Sequence, residues 1–209
     1  MKEQIYTIPV NEVYDTDCEC PLCELEKKLE KDTLDYALGA AMMEPEFRME
    51  SNEKGFCNHH YSMLFGMSNK LALSLVLDTH LEEIRKKLDT LKKSASALKN
   101  QKGGLFKKTG SSDFAKALSE KLDGISDGCV VCDKINHTME RYADVLLYMW
   151  ANDEKFKEKF DKSKGVCLKH MKLLVDTVPK SLKDSQAAQF LACLFEKQEA
   201  ELSRIQEDI

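Results

Sequence analysis

Apolar side chains recur every three or four residues over most of this chain, which is the spacing of one face of an α-helix. One such row lies at residues 22–43 and consists of Leu22, Leu25, Leu29, Tyr36, Ala40 and Met43. A second row lies at residues 135–149 and consists of Ile135, Met139, Tyr142, Leu146 and Met149. Alternation of apolar and polar positions, the strand pattern, occurs only at residues 5–10. The pattern therefore predicts an all-α fold.

The order of the predicted elements occurs twice along the chain. Each copy contains a helix, a short helix that opens with acidic residues and ends at a glycine, and then a long helix. The glycines are Gly55 and Gly165, and each can take the left-handed conformation that ends a helix. The pattern thus indicates an imperfect internal duplication.

The long helices of the two copies are predicted to differ. In the first copy, the helix is predicted over 58–98, with a bend near Gly66. Its core-facing row is predicted to be Leu71, Leu75, Leu81, Ile84, Leu88 and Leu91. In the second copy, Pro179 is expected to break or kink the helix, because proline lacks the backbone donor, and a final helix follows over 182–205.

These elements suggest one domain, residues 1–209, made of two repeats packed as a pseudo-two-fold bundle. The first repeat covers residues 18–98 and the second covers residues 129–209. A linker at 99–128, with a short helix over 113–122, joins them. The linker contains Lys102, Lys107 and Lys108, which indicate either a solvated loop or an anion clamp.

Composition narrows the classes of partner. The chain has 209 residues with 31 Lys and Arg against 36 Asp and Glu, a net charge of -5, which argues against non-specific nucleic-acid binding. The first ten residues show neither a secretory leader nor a membrane span, so a cytoplasmic location without a membrane is expected. In that compartment thiols stay reduced, and CxxC pairs indicate metal or redox sites before disulfides.

Cysteine and histidine form the same motif in both repeats, a CxxC followed by a CxxH. The gap between the two parts is 33 residues in the first repeat and 34 in the second. The first motif comprises Cys20, Cys23, Cys57 and His60, and the second comprises Cys129, Cys132, Cys167 and His170. Three thiolates and one imidazole are the donors of a closed tetrahedral zinc site. We therefore predict two zinc ions, each held by the four residues of one motif.

A site with four protein ligands leaves no open position for water or substrate, which favours a structural role over hydrolysis. An iron–sulfur cluster accepts the same donors and is the alternative, which would make the protein an electron carrier. The first CxxC is expected at a helix start, where the helix dipole favours thiolates, and the same holds for each CxxH. No nucleophile with an adjacent base can be recognised, so no catalytic residue is predicted.

The remaining cysteines and histidines have weaker interpretations. Cys18 has no counterpart in the second repeat and is either an idle or alternate ligand or a redox-active thiol, although its acidic neighbours disfavour reactivity. His59 adjoins His60 and is either solvated or a substitute ligand. Cys193 lies in an apolar run and is expected to be buried. His80 and His137 are expected to be ordinary core or surface histidines.

Four segments carry a resemblance to a known family: residues 5–13, 18–26, 42–48 and 52–60. On these segments the chain resembles a domain family of unknown function found in anaerobic Gram-positive bacteria. The resemblance extends over nearly the whole length. It implies a bacterial cytoplasmic protein and no catalytic residue.

The resulting functional hypothesis is a non-enzymatic or regulatory helical protein with two structural zinc sites. Grooves between its helices would bind an unidentified protein or small molecule, and the oligomeric state is left open. The alternative is a redox protein, either an iron–sulfur carrier or a sensor that uses Cys18 beside a labile zinc site.

Overall fold

A computed structural model describes residues 4–100 and 111–209, without the side chains of residues 4, 97–100, 111 and 126. Within these ranges the chain forms ten α-helices and one short 3-10 helix, with no strand, so the predicted all-α class is confirmed. None of these helices combines the length and the apolar content that a membrane crossing requires. The basic residues Lys102, Lys107 and Lys108 of the predicted linker lie outside the described residues.

The helices of the first half begin with α1 (Gln4–Val13) and α2 (Pro21–Ala37), followed by the 3-10 helix (Ala40–Met43), α3 (Pro45–Lys54), α4 (Asn58–Gly66) and α5 (Lys70–Asn100). The second half contains α6 (Ser111–Ser126), α7 (Val130–Asn152), α8 (Glu154–Lys162), α9 (Leu168–Ser181) and α10 (Asp184–Glu207).

Several boundaries differ from the predicted ones. The strand-like alternation at residues 5–10 lies inside α1, where Pro9 is accommodated within the helix. The helix predicted over 58–98 is two helices, α4 and α5, separated by residues 67–69. Pro179 lies in the last turn of α9, which ends two residues later, as its missing donor requires.

The chain divides into two compact units. The terminal unit comprises Met1–Lys31 and Ile135–Ile209, and the central unit comprises Asp32–Lys134. The boundaries fall inside α2 and α7, so they do not follow the two predicted repeats. The single domain of two repeats and its pseudo-two-fold packing stay predictions.

The core of the terminal unit is built around aromatic side chains. Phe156, Phe160 and Phe190 are fully buried. The ring of Tyr14 lies 5.1 Å from that of Phe156, and the ring of Trp150 lies 5.0 Å from that of Phe190. Edge-to-face pairs at such distances stabilise a core beyond the area they bury. These contacts join the residue after α1 to α8, and α7 to α10, so the unit has a core that does not depend on metal alone.

In the central unit, the buried side of α5 is not the predicted one. Leu71 is 73% exposed and Leu81 is 55% exposed, and Leu75 and Leu88 are also exposed. The buried side chains are Ala72, Leu73, Val76 and His80. Two rows of apolar side chains on α5 repeat with the helical period, and packing against α3 buries one of these rows.

Polar contacts between α3 and α5 stabilise this packing. Arg48 of α3 donates to Thr79 Oγ1 at 2.8 Å, and Thr79 Oγ1 donates to Asn52 Oδ1 at 2.6 Å. The His80 ring nitrogen Nδ1 lies 2.8 Å from the carbonyl oxygen of Asn52, so this histidine is a satisfied core residue, as expected. The row of leucines faces away from these contacts and stays exposed.

Candidate metal centres

The first cluster of thiols lies in the terminal unit, where two helix starts meet. Cys20 directly precedes α2 and Cys23 lies in its first turn, while Cys167 is the N-cap of α9 and His170 lies in its first turn. One ligand atom from each of these four residues lies within 4.8 Å of all the others. All three cysteines of this site thus occur at helix N-termini, where backbone N–H groups and the helix dipole favour thiolates.

The distances in this first site are those expected between ligands of a single ion. His170 Nδ1 lies 3.5 Å from Cys20 Sγ, 3.4 Å from Cys23 Sγ and 3.3 Å from Cys167 Sγ. The Sγ atoms of Cys23 and Cys167 are 3.6 Å apart. A tetrahedral zinc ion with ordinary bond lengths separates its sulfur and nitrogen ligands by about 3.6 Å and two sulfurs by about 3.8 Å. The donor set therefore fits such an ion.

The second ring nitrogen of His170 has a carboxylate beside it. His170 Nε2 lies 3.3 Å from Glu26 Oε2, and the other oxygen of Glu26 accepts a hydrogen bond from Lys169 Nζ at 2.5 Å. The contact does not have hydrogen-bond geometry, but a negative charge 3.3 Å away favours the tautomer with the proton on Nε2, which leaves Nδ1 to bind a metal. Glu26 thus lies in the outer shell of the site and orients its histidine.

The second cluster lies in the central unit and has the same composition. Cys57 is the N-cap of α4 and His60 lies in its first turn, while Cys129 directly precedes α7 and Cys132 lies in its first turn. These four residues also bring one ligand atom each within 4.8 Å of all the others.

The distances in this second site match those of the first. His60 Nδ1 lies 3.2 Å from Cys57 Sγ, 3.2 Å from Cys129 Sγ and 3.4 Å from Cys132 Sγ. The Sγ atoms of Cys57 and Cys132 are 3.8 Å apart. Both sites therefore offer three sulfurs and one Nδ1 nitrogen at the corners of a tetrahedron.

A close backbone contact brings the two parts of the second site together. The Val130 amide donates to the Gly55 carbonyl at 3.1 Å, and Lys54 Nζ lies 2.7 Å from Asp133 Oδ2. A Cβ on Gly128 would lie 2.5 Å from the Lys54 carbonyl oxygen, so only glycine permits this approach. Gly55 has a φ of 64°, which ends α3 and turns the chain towards Cys57, as predicted for the helix stop.

Without a cation, the thiols of the two sites differ in how tightly they hold their protons: the pKa values of three of them are raised, whereas hydrogen bonds from the backbone of His60 and from neighbouring thiols outweigh burial and lower the pKa of Cys57. Burial raises the pKa of Cys20 and of Cys23, and at Cys23 the neighbouring thiols raise it further. Burial and the adjacent Cys129 raise the pKa of Cys132 to about 12. Burial also lowers the pKa of His170, which keeps the ring neutral near pH 7. A cation that enters either site therefore replaces thiol protons.

The eight residues predicted as ligands fall into two groups of four, but the predicted pairing is wrong. The CxxC of the first motif meets the CxxH of the second, and the CxxH of the first meets the CxxC of the second. The reason is that the first turns of two helices meet at each site, those of α2 and α9 in the terminal unit and those of α4 and α7 in the central unit. The sequence had suggested that each ion joins neighbours along the chain.

The other candidate residues lie outside these two four-residue groups. Cys18 is half-buried, with its Sγ 3.7 Å from Thr16 Oγ1. Cys193 is half-buried rather than buried, and burial raises its pKa. His59 and His137 are exposed. The redox role of Cys18 stays a hypothesis.

Sequence reasoning missed Glu26 and Lys169. Glu26 follows Cys23 by three residues on α2, a spacing that places both on one face of the helix. Lys169 lies inside the CxxH motif itself. These spacings could have indicated a carboxylate beside the site. Acidic and basic residues are so common at such positions on helices that the spacing alone does not identify one.

Comparison with protein-family models places the chain in a family of unknown function, DUF6062, which matches residues 1–209. The chain belongs to this family, as its resemblance had predicted, and bacterial origin stays a prediction. The comparison with curated proteins found no match, and neither did the comparison with solved structures.

Proposed function

We propose that this member of a family of unknown function is a non-enzymatic helical protein that binds two structural zinc ions and presents its helices to a partner. The observation that supports the proposal is the geometry of the two Cys3His groups. In each group, the measured sulfur–nitrogen distances lie between 3.2 and 3.5 Å. Two separate sets of four donors with this spacing indicate two ions.

The donor chemistry favours zinc. Thiolate and imidazole select zinc among the ions that do not undergo redox change, and four protein donors fill a tetrahedral shell. Such a shell has no position for a water molecule or a substrate, so the ions would stabilise the fold and not perform Lewis-acid chemistry. His170, oriented by Glu26, would contribute the single nitrogen in the first site.

The ions would join segments that lie far apart in sequence. The Sγ atoms of Cys23 and Cys167, separated by 144 residues, meet in the first site, and Cys132 and His60, separated by 72 residues, meet in the second. A cross-link of this kind restricts the unfolded chain strongly, because long loops are closed. Zinc would thus fix the starts of α2 and α9 in the terminal unit, and of α4 and α7 in the central unit.

A role in binding is supported by the surface of the helices. Apolar side chains remain exposed along both α5 and α10, including Leu81 at 55% and Phe195 at 58%. Contiguous apolar exposure on a folded protein usually marks a surface where another molecule binds. With the zinc shells closed, these helical faces would offer surfaces to a partner.

Metal content of the purified protein tests this proposal. We expect elemental analysis of the chain, purified without oxygen, to find two zinc ions per chain and a colourless solution. Iron with sulfide and a visible absorption band would establish the iron–sulfur alternative, and a protein without metal would contradict both. As matched controls, Cys18→Ser and Cys193→Ser should each keep both ions, because neither cysteine belongs to a four-residue group.

A further inference from the structure

Each metal site contains one deeply buried cysteine and two cysteines nearer the surface. Cys20 is 6% exposed and Cys129 is 5% exposed, whereas the other cysteines of the two sites are half-buried. The half-buried ones are Cys23 and Cys167 in the first site and Cys57 and Cys132 in the second. A small oxidant that approaches a site from the solvent therefore meets two of its three sulfurs first.

In both sites, the two half-buried sulfurs lie next to each other. Cys23 Sγ is 3.6 Å from Cys167 Sγ, and Cys57 Sγ is 3.8 Å from Cys132 Sγ. The sulfurs of a disulfide are about 2.05 Å apart, so each pair has to approach by less than about 2 Å. Rotation of the side chains between staggered conformations moves a sulfur over such a distance. Each pair joins a CxxC motif to a CxxH motif.

The chain next to the half-buried sulfurs is open to solvent, whereas the buried sulfur of the second site is held by the backbone. Leu168, which follows Cys167, is 70% exposed, and Asn58, which follows Cys57, is exposed. Cys129 Sγ accepts a hydrogen bond from the Cys132 amide at 3.4 Å, which holds this sulfur against the start of α7.

We propose that each site is an oxidation switch, in which hydrogen peroxide bonds Cys23 to Cys167 and Cys57 to Cys132 and the metal ion is released. This inference rests on the two proposed zinc sites and adds the condition under which their ions leave. Cys18 takes no part, because it lies outside both groups of four. The switch thus differs from a sensor that uses Cys18.

The reaction consumes one hydrogen peroxide per site. The first thiolate attacks the peroxide, its sulfur gains one oxygen to become a sulfenic acid, and hydroxide leaves. The second thiolate attacks that sulfur, forms the S–S bond and displaces a second hydroxide. Two solvent protons convert both hydroxides to water, and two electrons pass from the sulfurs to the peroxide. One thiolate and one imidazole remain, which are too few donors to hold a zinc ion.

The new bonds keep the helix starts joined after the ions leave. Cys23 and Cys167 are 144 residues apart, and Cys57 and Cys132 are 75 residues apart. Cross-links over such long loops strongly restrict the unfolded chain. A disulfide within one CxxC would join cysteines only three residues apart and would leave the two motifs of a site unlinked. Oxidation therefore empties the sites without separating α2 from α9 or α4 from α7.

Peptide mapping of the full, zinc-loaded chain tests the proposal. The chain is treated with a small excess of hydrogen peroxide, its remaining thiols are blocked in denaturant, and it is digested without reduction. We expect mass spectrometry to find Cys23 linked to Cys167 and Cys57 linked to Cys132, with the blocking group on the buried cysteine of each site.

Two further measurements follow the same reaction. A zinc indicator should report the release of both ions, and a reductant with added zinc should restore them. On a non-reducing denaturing gel, the oxidised chain should migrate faster than the reduced chain, because a long cross-linked loop keeps the denatured chain compact. Disulfides within a CxxC would leave the migration unchanged.

Two variants that each remove one ligand of the first site identify the reacting sulfurs. Cys23→Ser should abolish the cross-link to Cys167, whereas Cys20→Ser should keep it, since the buried sulfur takes no part. The second site is unchanged in both variants, so its cross-link is the internal control for folding. Cys18→Ser should form both cross-links, as the wild type does.

Several results would overturn the proposal: disulfides within a CxxC, a disulfide that includes Cys18, oxidised sulfurs without a cross-link, or a Cys23→Ser chain in which Cys20 bonds to Cys167. Metal content is measured before peroxide is added. A chain without zinc that forms both cross-links contradicts the zinc proposal and supports the pairing of the sulfurs. A chain with two zinc ions and neither cross-link contradicts only the oxidation switch.

Discussion

Pairs of cysteine substitutions distinguish the crossed pairing of the motifs from pairing along the chain. Cys23 and Cys167 belong to one group of four, with their Sγ atoms 3.6 Å apart. The double variant Cys23→Ser/Cys167→Ser therefore removes two thiolates from the first site and none from the second. We expect this variant to keep one zinc ion per chain instead of two.

The expected loss of one zinc ion follows from the division of the eight ligands into two groups. The two groups share no residue and lie in different compact units, so the second site keeps all four donors. A structural zinc site of this type binds with an apparent free energy of roughly 10–16 kcal/mol at pH 7. A first site reduced to one thiolate and one imidazole would lose most of this and would not compete with a chelator, whereas the second site would bind as in the wild type.

The assay is zinc content after gel filtration in the presence of a mild chelator. The matched variant is Cys23→Ser/Cys57→Ser, which removes one thiolate from each group and should weaken both ions equally. If pairing followed the chain instead, this second variant would keep one intact site and Cys23→Ser/Cys167→Ser would damage both. That inverted pattern would refute the crossed pairing and the packing that produces it.

Three further results are expected. Glu26→Gln should lower zinc affinity at the first site roughly 10–100-fold, about 1.4–2.7 kcal/mol, in a chelator competition, because His170 loses its orienting carboxylate. Zinc uptake near pH 7 should release at least about two protons from the first site, where Cys20 and Cys23 have raised pKa values, and at least about one from the second, where only Cys132 does, and zinc binding should weaken as pH falls; calorimetry in buffers of different ionisation enthalpy measures this release. Gly55→Ala should lower the free energy of unfolding by roughly 2–4 kcal/mol in a denaturant titration, because φ is 64° and the new Cβ would meet His80.

Each of these three experiments has a control variant or an outcome that would contradict its prediction. Glu24→Gln changes an exposed carboxylate of the same helix whose partner is Lys27, and it should leave zinc affinity unchanged; equal losses in both variants would remove the role of Glu26. Proton release well below one per site would mean that the thiols are already ionised. Gly66→Ala places a Cβ in open space and should cost little, so a loss equal to that of Gly55→Ala would refute the steric argument.

Local features of this protein followed from short-range patterns in the sequence. The all-α class, the helix stop at Gly55 and the position of each CxxC or CxxH motif at a helix start depend on residues within a few positions of one another. Such features are set by backbone conformation and by the helical period, which act locally. The same holds for the donor set, since CxxC and CxxH each present two ligands from one turn.

Tertiary packing determined which CxxC motif lies beside which CxxH motif, and which side of α5 is buried. Cys23 joins Cys167 and not Cys57, because the first turns of α2 and α9 meet in the terminal unit, and no spacing within a motif encodes that choice. On α5, packing against α3 covered Val76 and His80 and left Leu81 exposed, although both rows have the period of a buried face. Sequence period shows which faces can be buried, and the contacts between distant segments determine which of them are.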